Sequence, residues 1–177
     1  LCACGTRRLF QMNALFSVLR ADRAVCALAE ALGGAPQQIL AHGFSGSMKH
    51  TAVAAAYDRS PRPLAIVTGG REALHAWQED LAALLPEADV YELPELDRAD
   101  FAAPDAAKGL ERSAQRMNIL ARLLRREPII VLADIGAAAQ KGLSTVEFSR
   151  AALSLHLGDN LPREDLLARL SALGYER

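Results

Sequence analysis

The chain has 177 residues with a formal net charge of −1, and hydrophobic residues make up 51% of it. This balance gives no overall attraction to nucleic acid or anionic membranes, and no apolar run reaches the roughly 18 residues of a membrane span. The odd number of cysteines (Cys2, Cys4 and Cys26), with no second CxC or CxxC pair, argues against a disulfide framework and a closed zinc site, and favours a reduced, cytoplasmic chain.

The N-terminal part of the chain predicts a helix and then a strand. Residues 13–32 carry apolar side chains at helical spacing, and the pair Gly33–Gly34 ends the pattern. The residues before them make a poor signal peptide, and Met12 is an alternative natural start. The apolar run QQILAH, residues 37–42, predicts a strand, and MKHTAVAAAYDR predicts a helix. The loop GFSGS is therefore expected to join a strand to a helix.

Strands and helices are predicted to alternate from residue 64 onwards. The apolar stretches LAIVT, ADVYELP and PIIVLADIG predict strands, and REALHAWQEDLAALL predicts a helix whose apolar face comprises Leu74, Trp77, Leu81 and Leu84. Residues 105–126 predict a long helix with an apolar stripe of Leu110, Ala114, Met117, Ala121 and Leu124. This alternation predicts an α/β fold with a parallel sheet flanked by helices.

The character of the sequence changes after about residue 145. AALSLHLGD, residues 151–159, alternates like a half-exposed strand, and LPREDLLARLSALGYER predicts a helix with Pro162 in its first turn. We therefore divide the chain into an N-terminal extension with a helix (residues 1–34), an α/β domain (residues 35–145), and the incomplete beginning of a smaller α+β domain (residues 146–177).

The stretch GFSGSMKHT has the outline of a phosphate-binding loop. Such a loop follows the pattern GxxxxGK[ST], in which glycines turn backbone N–H groups towards phosphates and the lysine reaches the outer phosphates. Gly43 and Lys49 have the required spacing, and Gly46 and Ser47 lie between them. These four residues are the candidate cofactor-binding residues of the chain.

Two substitutions argue against a working nucleotide site. Met48 stands where the pattern needs glycine, and His50 stands where a Ser or Thr hydroxyl would hold Mg²⁺. Thr51 comes one residue late, about 100° around the helix. Asp134 is the only candidate for the acidic residue that such sites also use. We favour a vestigial site, while a competent site and a coincidental pattern remain alternatives.

The long helix offers a second candidate surface. It carries six basic residues: Lys108, Arg112, Arg116, Arg122, Arg125 and Arg126. They form either a nucleic-acid contact or a solvated face balanced by Glu111, Glu127 and the acidic loop before the helix. We favour the solvated face, because the interleaved aromatic residues of a stacking platform are missing.

The order of these motifs resembles a known family. GFSGSMKHT is similar to the GVTGSGKT loop of the excinuclease subunit UvrB, with matches at Gly43, Gly46, Ser47 and Lys49. The loop departs from this pattern at Met48 and His50, the two positions that ATP binding needs. Similarity combined with these two departures resembles the N-terminal, UvrB-like region of the transcription-repair coupling factor, Mfd. The stretches RPLAIVTGGREALHAWQEDLAALLPEADVYELPE, ERSAQRMNILARLLRREPIIVLADIGAAAQKGL and LSLHLGDNLPREDLLARLSALGYER agree in order, so the resemblance covers roughly residues 25–177.

The resemblance implies a RecA-like α/β core without ATPase activity, followed by the start of a UvrA-binding-like domain. The implied function is the recruitment of UvrA to stalled RNA polymerase. UvrA contacts would come from the second domain and lie mostly beyond residue 177. RNA polymerase and DNA would be contacted by domains that this chain lacks, and the chain would also contact the rest of its parent protein.

The resemblance further implies that this chain is not an enzyme and binds no cofactor or metal, whereas ATP and Mg²⁺ serve the parent's motor domains. Two alternatives stay open. One is the N-terminal piece of an ATP-binding UvrB-type excinuclease subunit or related helicase. The other is a stand-alone α/β domain.

Overall fold

A computed structural model describes residues 17–19, 21–35, 37–97, 106–151, 153, 155, 157, 158, 160–172 and 175. The chain divides into two compact units, Leu1–Gln140 and Lys141–Arg177. The first unit contains helices α1 (Arg23–Gly33), α2 (Met48–Arg59), α3 (Arg71–Leu84), α4 (Ala106–Leu124) and α5 (Ile135–Ala139), with strands β1 (Leu64–Thr68), β2 (Val90–Glu92) and β3 (Ile130–Asp134). The second contains α6 (Thr145–Ala151) and α7 (Arg163–Ala172).

The three strands form one parallel sheet in the order β1-β3-β2. Leu64 and Val90 both align with Ile130, so the three strands begin at the same level. The central strand, β3, is buried on both faces, as its continuous apolar sequence predicts for a parallel sheet. The predicted α/β class, with a parallel sheet flanked by helices, is confirmed.

Helices cover both faces of the sheet and create two separate cores. The α2/α3 face is built from Ala54, Tyr57, Ile66, Leu74, Trp77, Leu81, Leu85, Ile130 and Leu132. The α4/α5 face is built from Leu93, Ile119, Ile129, Val131, Ala133 and Ala137. The predicted apolar face of α3 is confirmed, since Leu74, Trp77 and Leu81 are buried. Helix α1 packs on α2 through Val25, Ala52 and Ala55.

The helix predicted for residues 13–32 is interrupted at Asp22. The Asp22 carboxylate accepts hydrogen bonds from the backbone N–H groups of Ala24 and Val25, at 2.8 and 3.2 Å, so it starts α1 as an N-cap. Residues 13–16 and 20 of the predicted helix lie outside the described residues. The predicted helix therefore contains the N-cap of α1, Asp22, which the spacing of its apolar residues did not reveal.

The strand predicted for residues 37–42 is wrong. These residues are in no helix or strand, and the side chains of Ile39 and Leu40 are 41% and 89% exposed. An apolar run becomes a strand only where a neighbouring strand takes up its backbone hydrogen bonds. None of the three strands of the described sheet pairs with residues 37–42. The loop at residues 43–47 therefore follows an irregular segment instead of a strand.

The apolar stripe predicted for α4 is also wrong. Leu110, Met117 and Leu124 are 65%, 40% and 40% exposed, whereas Arg116 and Ile119 are buried against the sheet. The helix carries two stripes at helical spacing, and the buried one includes an arginine. That guanidinium finds backbone carbonyl acceptors in the segment after β2 and in α5, which hydrophobicity alone does not reveal.

The second unit differs from its prediction at residues 151–159, and it contains a helix before them that the sequence did not predict. Residues 145–151 form α6, whose start is fixed by reciprocal hydrogen bonds between Ser144 and Glu147. The predicted strand at residues 151–159 lies partly outside the described residues. Of the described ones, Ala151 ends α6, and Leu153 and Leu155 are in no strand. The predicted C-terminal helix is confirmed as α7.

Candidate functional site

The loop before α2 has the backbone conformation that its glycines predict. Gly43 has φ +89° and Gly46 has φ +55°, both in the left-handed region that side chains rarely adopt. A β-carbon at either position would meet nothing within 4 Å. The backbone conformation, and not a lack of space, is therefore what calls for glycine here.

The four predicted site residues are only partly brought together. All four are exposed. Gly43 and Lys49 line an open cavity of about 420 Å³, together with Leu28, Ala41, His42, Phe44 and Val53. Gly46 and Ser47 are not in that lining, and Ser47 precedes α2 without a capping hydrogen bond from its side chain. The cavity next to Lys49 is therefore mostly apolar.

Met48, at the position where the loop pattern needs glycine, takes part in the contact between α1 and α2. It is 53% exposed and lines a small cavity of about 110 Å³. The other lining residues are Leu19, Asp22, Ala24, Val25, Leu28, Phe44 and Ala52. The Met48 side chain, which stands where the loop pattern needs glycine, therefore lies beside residues of α1 and α2.

His50, at the position of the magnesium-binding hydroxyl, is turned into the core. It is 5% exposed, and its Nδ1 lies 2.5 Å from Oδ2 of Asp80 on α3, a hydrogen bond in which the ring N–H donates to the carboxylate. Its ring centroid lies 4.0 Å from that of Trp77, with the planes inclined by 43°. Position 50 therefore faces α3.

Thr51 also has a structural use. Its Oγ1 donates a hydrogen bond of 3.0 Å to the carbonyl of Ser47 in the preceding turn, and its backbone N–H bonds to the same carbonyl at 3.0 Å. A hydroxyl that binds back to its own helix is a common fate of threonine in α-helices. The hydroxyl nearest to the magnesium position is therefore engaged within α2.

Asp134, the candidate acidic residue, is a helix cap. Its Oδ1 accepts a hydrogen bond of 2.7 Å from the backbone N–H of Ala137, which starts α5. Beside it on β1, the hydroxyl of Thr68 donates to the carbonyl of Gly70 at 3.1 Å. Both polar side chains at the carboxyl ends of these strands thus complete local turns.

Arg116 is a structural residue that the sequence reasoning placed on the exposed basic face. It is 8% exposed and donates to the carbonyls of Pro94 and Ala137 at 2.9 and 3.1 Å. Burial lowers the pKa of this guanidinium. The Gln140 side chain makes two further hydrogen bonds to the backbone of Leu96. Together they hold the segment after β2 against α4 and α5. The signal that could have found Arg116 is its spacing of three and seven residues from Ile119 and Leu123.

Arg122 and Arg125, at the end of α4 and just after it, are paired within the fold. Arg122 bonds to Glu127, to the hydroxyl of Tyr91 and, at 2.6 Å, to Asp89, and its guanidinium lies 4.9 Å from the Tyr91 ring centroid. The hydrogen bond that Arg122 donates to Glu127 is the main cause of the raised pKa of Arg122. Arg125 bonds to Glu127 at 2.8 Å. This pairing favours a structural role over a nucleic-acid contact.

Within the described ranges, no three His, Cys, Asp or Glu side chains are grouped closely enough to hold a metal ion. None of the helices in the part of the chain that the structure describes is both long and apolar enough to cross a membrane.

Comparison with known proteins agrees with the resemblance read from the loop and the ordered motifs. The chain is 29% identical over 147 residues to a transcription-repair-coupling factor of Bacillus subtilis, a match that covers 81% of this chain and 12% of that protein. It is 28% identical over 155 residues to a UvrABC system protein B of Natronomonas pharaonis, covering 81% of this chain and 22% of that protein. No protein-family profile and no solved structure matches the chain. The chain therefore resembles a small part of two larger proteins, one named for transcription-repair coupling and the other for the UvrABC system.

Proposed function

We propose that this chain is the N-terminal, UvrB-like part of a transcription-repair coupling factor and acts as a protein-interaction module in nucleotide excision repair. In this proposal residues 35–145 correspond to a RecA-like core, and residues 146–177 begin a UvrA-binding-like domain. The module works in the cytoplasm without a cofactor of its own. ATP and Mg²⁺ are used by motor domains elsewhere in the parent protein.

The observation that carries the proposal is the burial of His50. The loop keeps the glycine conformations at Gly43 and Gly46 and an exposed Lys49 at the correct spacing. The position that must supply a metal ligand instead packs against Trp77 and bonds to Asp80. Mg²⁺ prefers oxygen ligands, and an imidazole engaged in the core offers none. A loop with positive φ at Gly43 and Gly46, and with a buried histidine at the metal-ligand position, supports the vestigial site of a coupling factor.

Isothermal titration calorimetry with Mg-ATP tests the loss of nucleotide binding. We expect no heat of binding at micromolar concentrations. The second candidate function, an N-terminal piece of an ATP-binding UvrB-type subunit, is favoured by the similarity to the Natronomonas pharaonis protein and predicts micromolar binding. The variant Lys49→Ala is the control. Heat that disappears in this variant would come from the loop and would support the UvrB-type alternative.

A binding assay with purified UvrA tests the partner. The chain spans about an eighth of its coupling-factor relative, and we propose that most UvrA contacts lie beyond Arg177. We therefore expect weak retention by this chain and clear retention by a form extended with the residues that follow in its gene. An extended form carrying Lys49→Ala should retain UvrA equally well, because the loop is not part of the proposed interface. If the extended form does not retain UvrA, the proposed partner is wrong.

A further inference from the structure

Three side chains connect the first turn of α2 to α3: His50, Trp77 and Asp80, here called the His50 cluster. The Nδ1 of His50 is 2.5 Å from Oδ2 of Asp80, and its ring lies 4.0 Å from the Trp77 ring. His50 is 5% exposed and Trp77 is 8% exposed. Asp80 follows Trp77 by three residues, so both project from the same side of α3. The His50 cluster is therefore a contact between two helices that buries a polar ring and satisfies it.

The contact lies next to the glycine loop. His50 is the third residue of α2, and the loop residues immediately precede the helix. The backbone N–H of Met48 bonds to the carbonyl of Ser45 at 3.1 Å, and that of Thr51 bonds to Ser47 at 3.0 Å. The loop is thus hydrogen-bonded to the same helical turn that His50 attaches to α3. A constraint on His50 is passed to the loop through these short connections.

A glycine-rich loop of this kind has little to hold it by itself. Glycine loses more conformational freedom on ordering than any other residue, and neither Gly43 nor Gly46 has atoms within 4 Å of its β-carbon position. The residues of the loop are exposed. In a nucleotide-binding protein, contacts to phosphates and a metal ion would supply the ordering energy.

We propose that His50 is a positioning residue that replaces the nucleotide in ordering this loop. Its bond to Asp80 and its contact with Trp77 hold the first turn of α2, and thereby residues 43–47, in one conformation without a ligand. The same contact directs position 50 towards α3 and away from the loop, which closes the metal position. This inference goes beyond the proposed function and does not depend on which partner the chain binds.

Amide hydrogen exchange followed by mass spectrometry tests the proposal on the whole chain. The variants are His50→Ala, Asp80→Asn, which keeps the side-chain volume, and the double variant. The control is His75→Ala, an exposed histidine on α3. We expect exchange at the hydrogen-bonded amides of Met48 and Thr51 to rise about tenfold in each single variant. The reason is that the bond between His50 and the charged Asp80 is lost in His50→Ala and becomes a weaker, neutral one in Asp80→Asn. Exchange in β3 should stay within about twofold of wild type. The double variant should exchange no faster than the faster single variant, since both break one contact.

The outcomes separate a positioning role from simple core packing. Unchanged loop exchange in Asp80→Asn and His50→Ala would overturn the proposal. Equal increases in the loop and in β3 would also overturn it, because His50 would then stabilise only the whole unit. If His50→Ala does not fold, Asp80→Asn alone decides the question.

Trp77 is the only tryptophan in the chain, so a changed fluorescence emission in these variants, but not in His75→Ala, confirms that this contact was altered. A failure to bind UvrA would leave all of these readouts unaffected.

Discussion

His50 on the α2/α3 face and Arg116 on the α4/α5 face are both buried, and their hydrogen bonds are satisfied in different ways. On the α2/α3 face, His50 bonds to the side chain of Asp80. On the α4/α5 face, Arg116 bonds to the backbone carbonyls of Pro94 and Ala137. Backbone carbonyls are present whatever the sequence, whereas a carboxylate partner must be supplied by one particular residue. The α2/α3 face therefore depends on a matched pair, and the α4/α5 face depends on a single arginine.

The consequence of each contact also differs. His50 connects two helices next to the glycine loop, so its contact bears on the candidate site. Arg116 connects the segment after β2 to α4 and α5, so its hydrogen bonds hold that segment at the β2 edge of the sheet. Mutations on one face alone, or on both, can test how much each face contributes to the stability of the fold.

The largest effect is expected from two isoleucines at the start of the central strand, Ile130 in β3 and Ile129 just before it. Ile129 and Ile130 are both fully buried, and they belong to the α4/α5 face and the α2/α3 face respectively. Each change to alanine should lower the free energy of unfolding by about 2–5 kcal/mol, because it removes buried methyl groups and leaves a cavity. Urea denaturation measures this loss. The control Val67→Ala, at a side chain that is 52% exposed, should cost far less. A small loss for only one isoleucine would mean that its face contributes little to the cooperative core.

The next effect is expected from Arg116→Met, which keeps most of the apolar stem and removes the guanidinium. The carbonyls of Pro94 and Ala137 would then lack their donor, and the free energy of unfolding should fall by about 1–3 kcal/mol. The matched control is Gln115→Met, an exposed neighbour on the same helix, which should change little. Equal effects of the two substitutions would show that the arginine is not needed to satisfy these carbonyls.

The elements that the sequence predicts well are those with a strong local signal. The run IIVLA within PIIVLADIG is continuously apolar and rich in β-branched residues, and it supplies the buried residues of the central strand, Ile130–Asp134. QQILAH has a much shorter apolar run and forms no strand, and pairing also depends on a neighbour that local composition does not reveal. For α4, the predicted stripe was one residue away from the buried one, since the buried stripe contains Arg116 and its acceptors lie in other elements.

The candidate site shows the same limit. The positive φ angles of Gly43 and Gly46 agree with a glycine-dependent loop, which is a local property. The partner of His50 is thirty residues away, so its burial could not be read from the loop. The sequence shows that position 50 lacks a hydroxyl for Mg²⁺. Only the packing of α2 on α3 shows that His50 instead contacts Asp80 and Trp77.

A smaller effect is expected from the glycines of the loop. Gly46→Ala should lower the free energy of unfolding by about 1 kcal/mol, because its φ of +55° is strained for a residue with a β-carbon. Gly69→Ala is the control, since its β-carbon position is also open and its φ is not in the left-handed region. Thermal unfolding measures both. Equal melting temperatures for the two variants would indicate that the loop relaxes away from this conformation at no cost.

The smallest effect is expected at the surface end of the α4/α5 face, where Glu127 is paired. Hydrogen bonds from Arg122, and then from Arg125, lower the pKa of this carboxyl. In the folded chain Glu127 therefore binds its proton less readily than in the unfolded chain. Its contribution to stability is present above the ordinary glutamate pKa and is lost as the pH falls through the lowered folded value.

Melting temperatures of wild type and Glu127→Gln, measured from about pH 7 to about pH 3, test this contribution. The wild type should be slightly more stable near neutral pH, and the two curves should converge in acid, where the carboxylate of the wild type is protonated. The effect should shrink in high salt, since the pair is exposed to solvent. Parallel curves at every pH would place the acid sensitivity of the chain elsewhere, and the arginines at the end of α4 would then have to be reconsidered as available for an external partner.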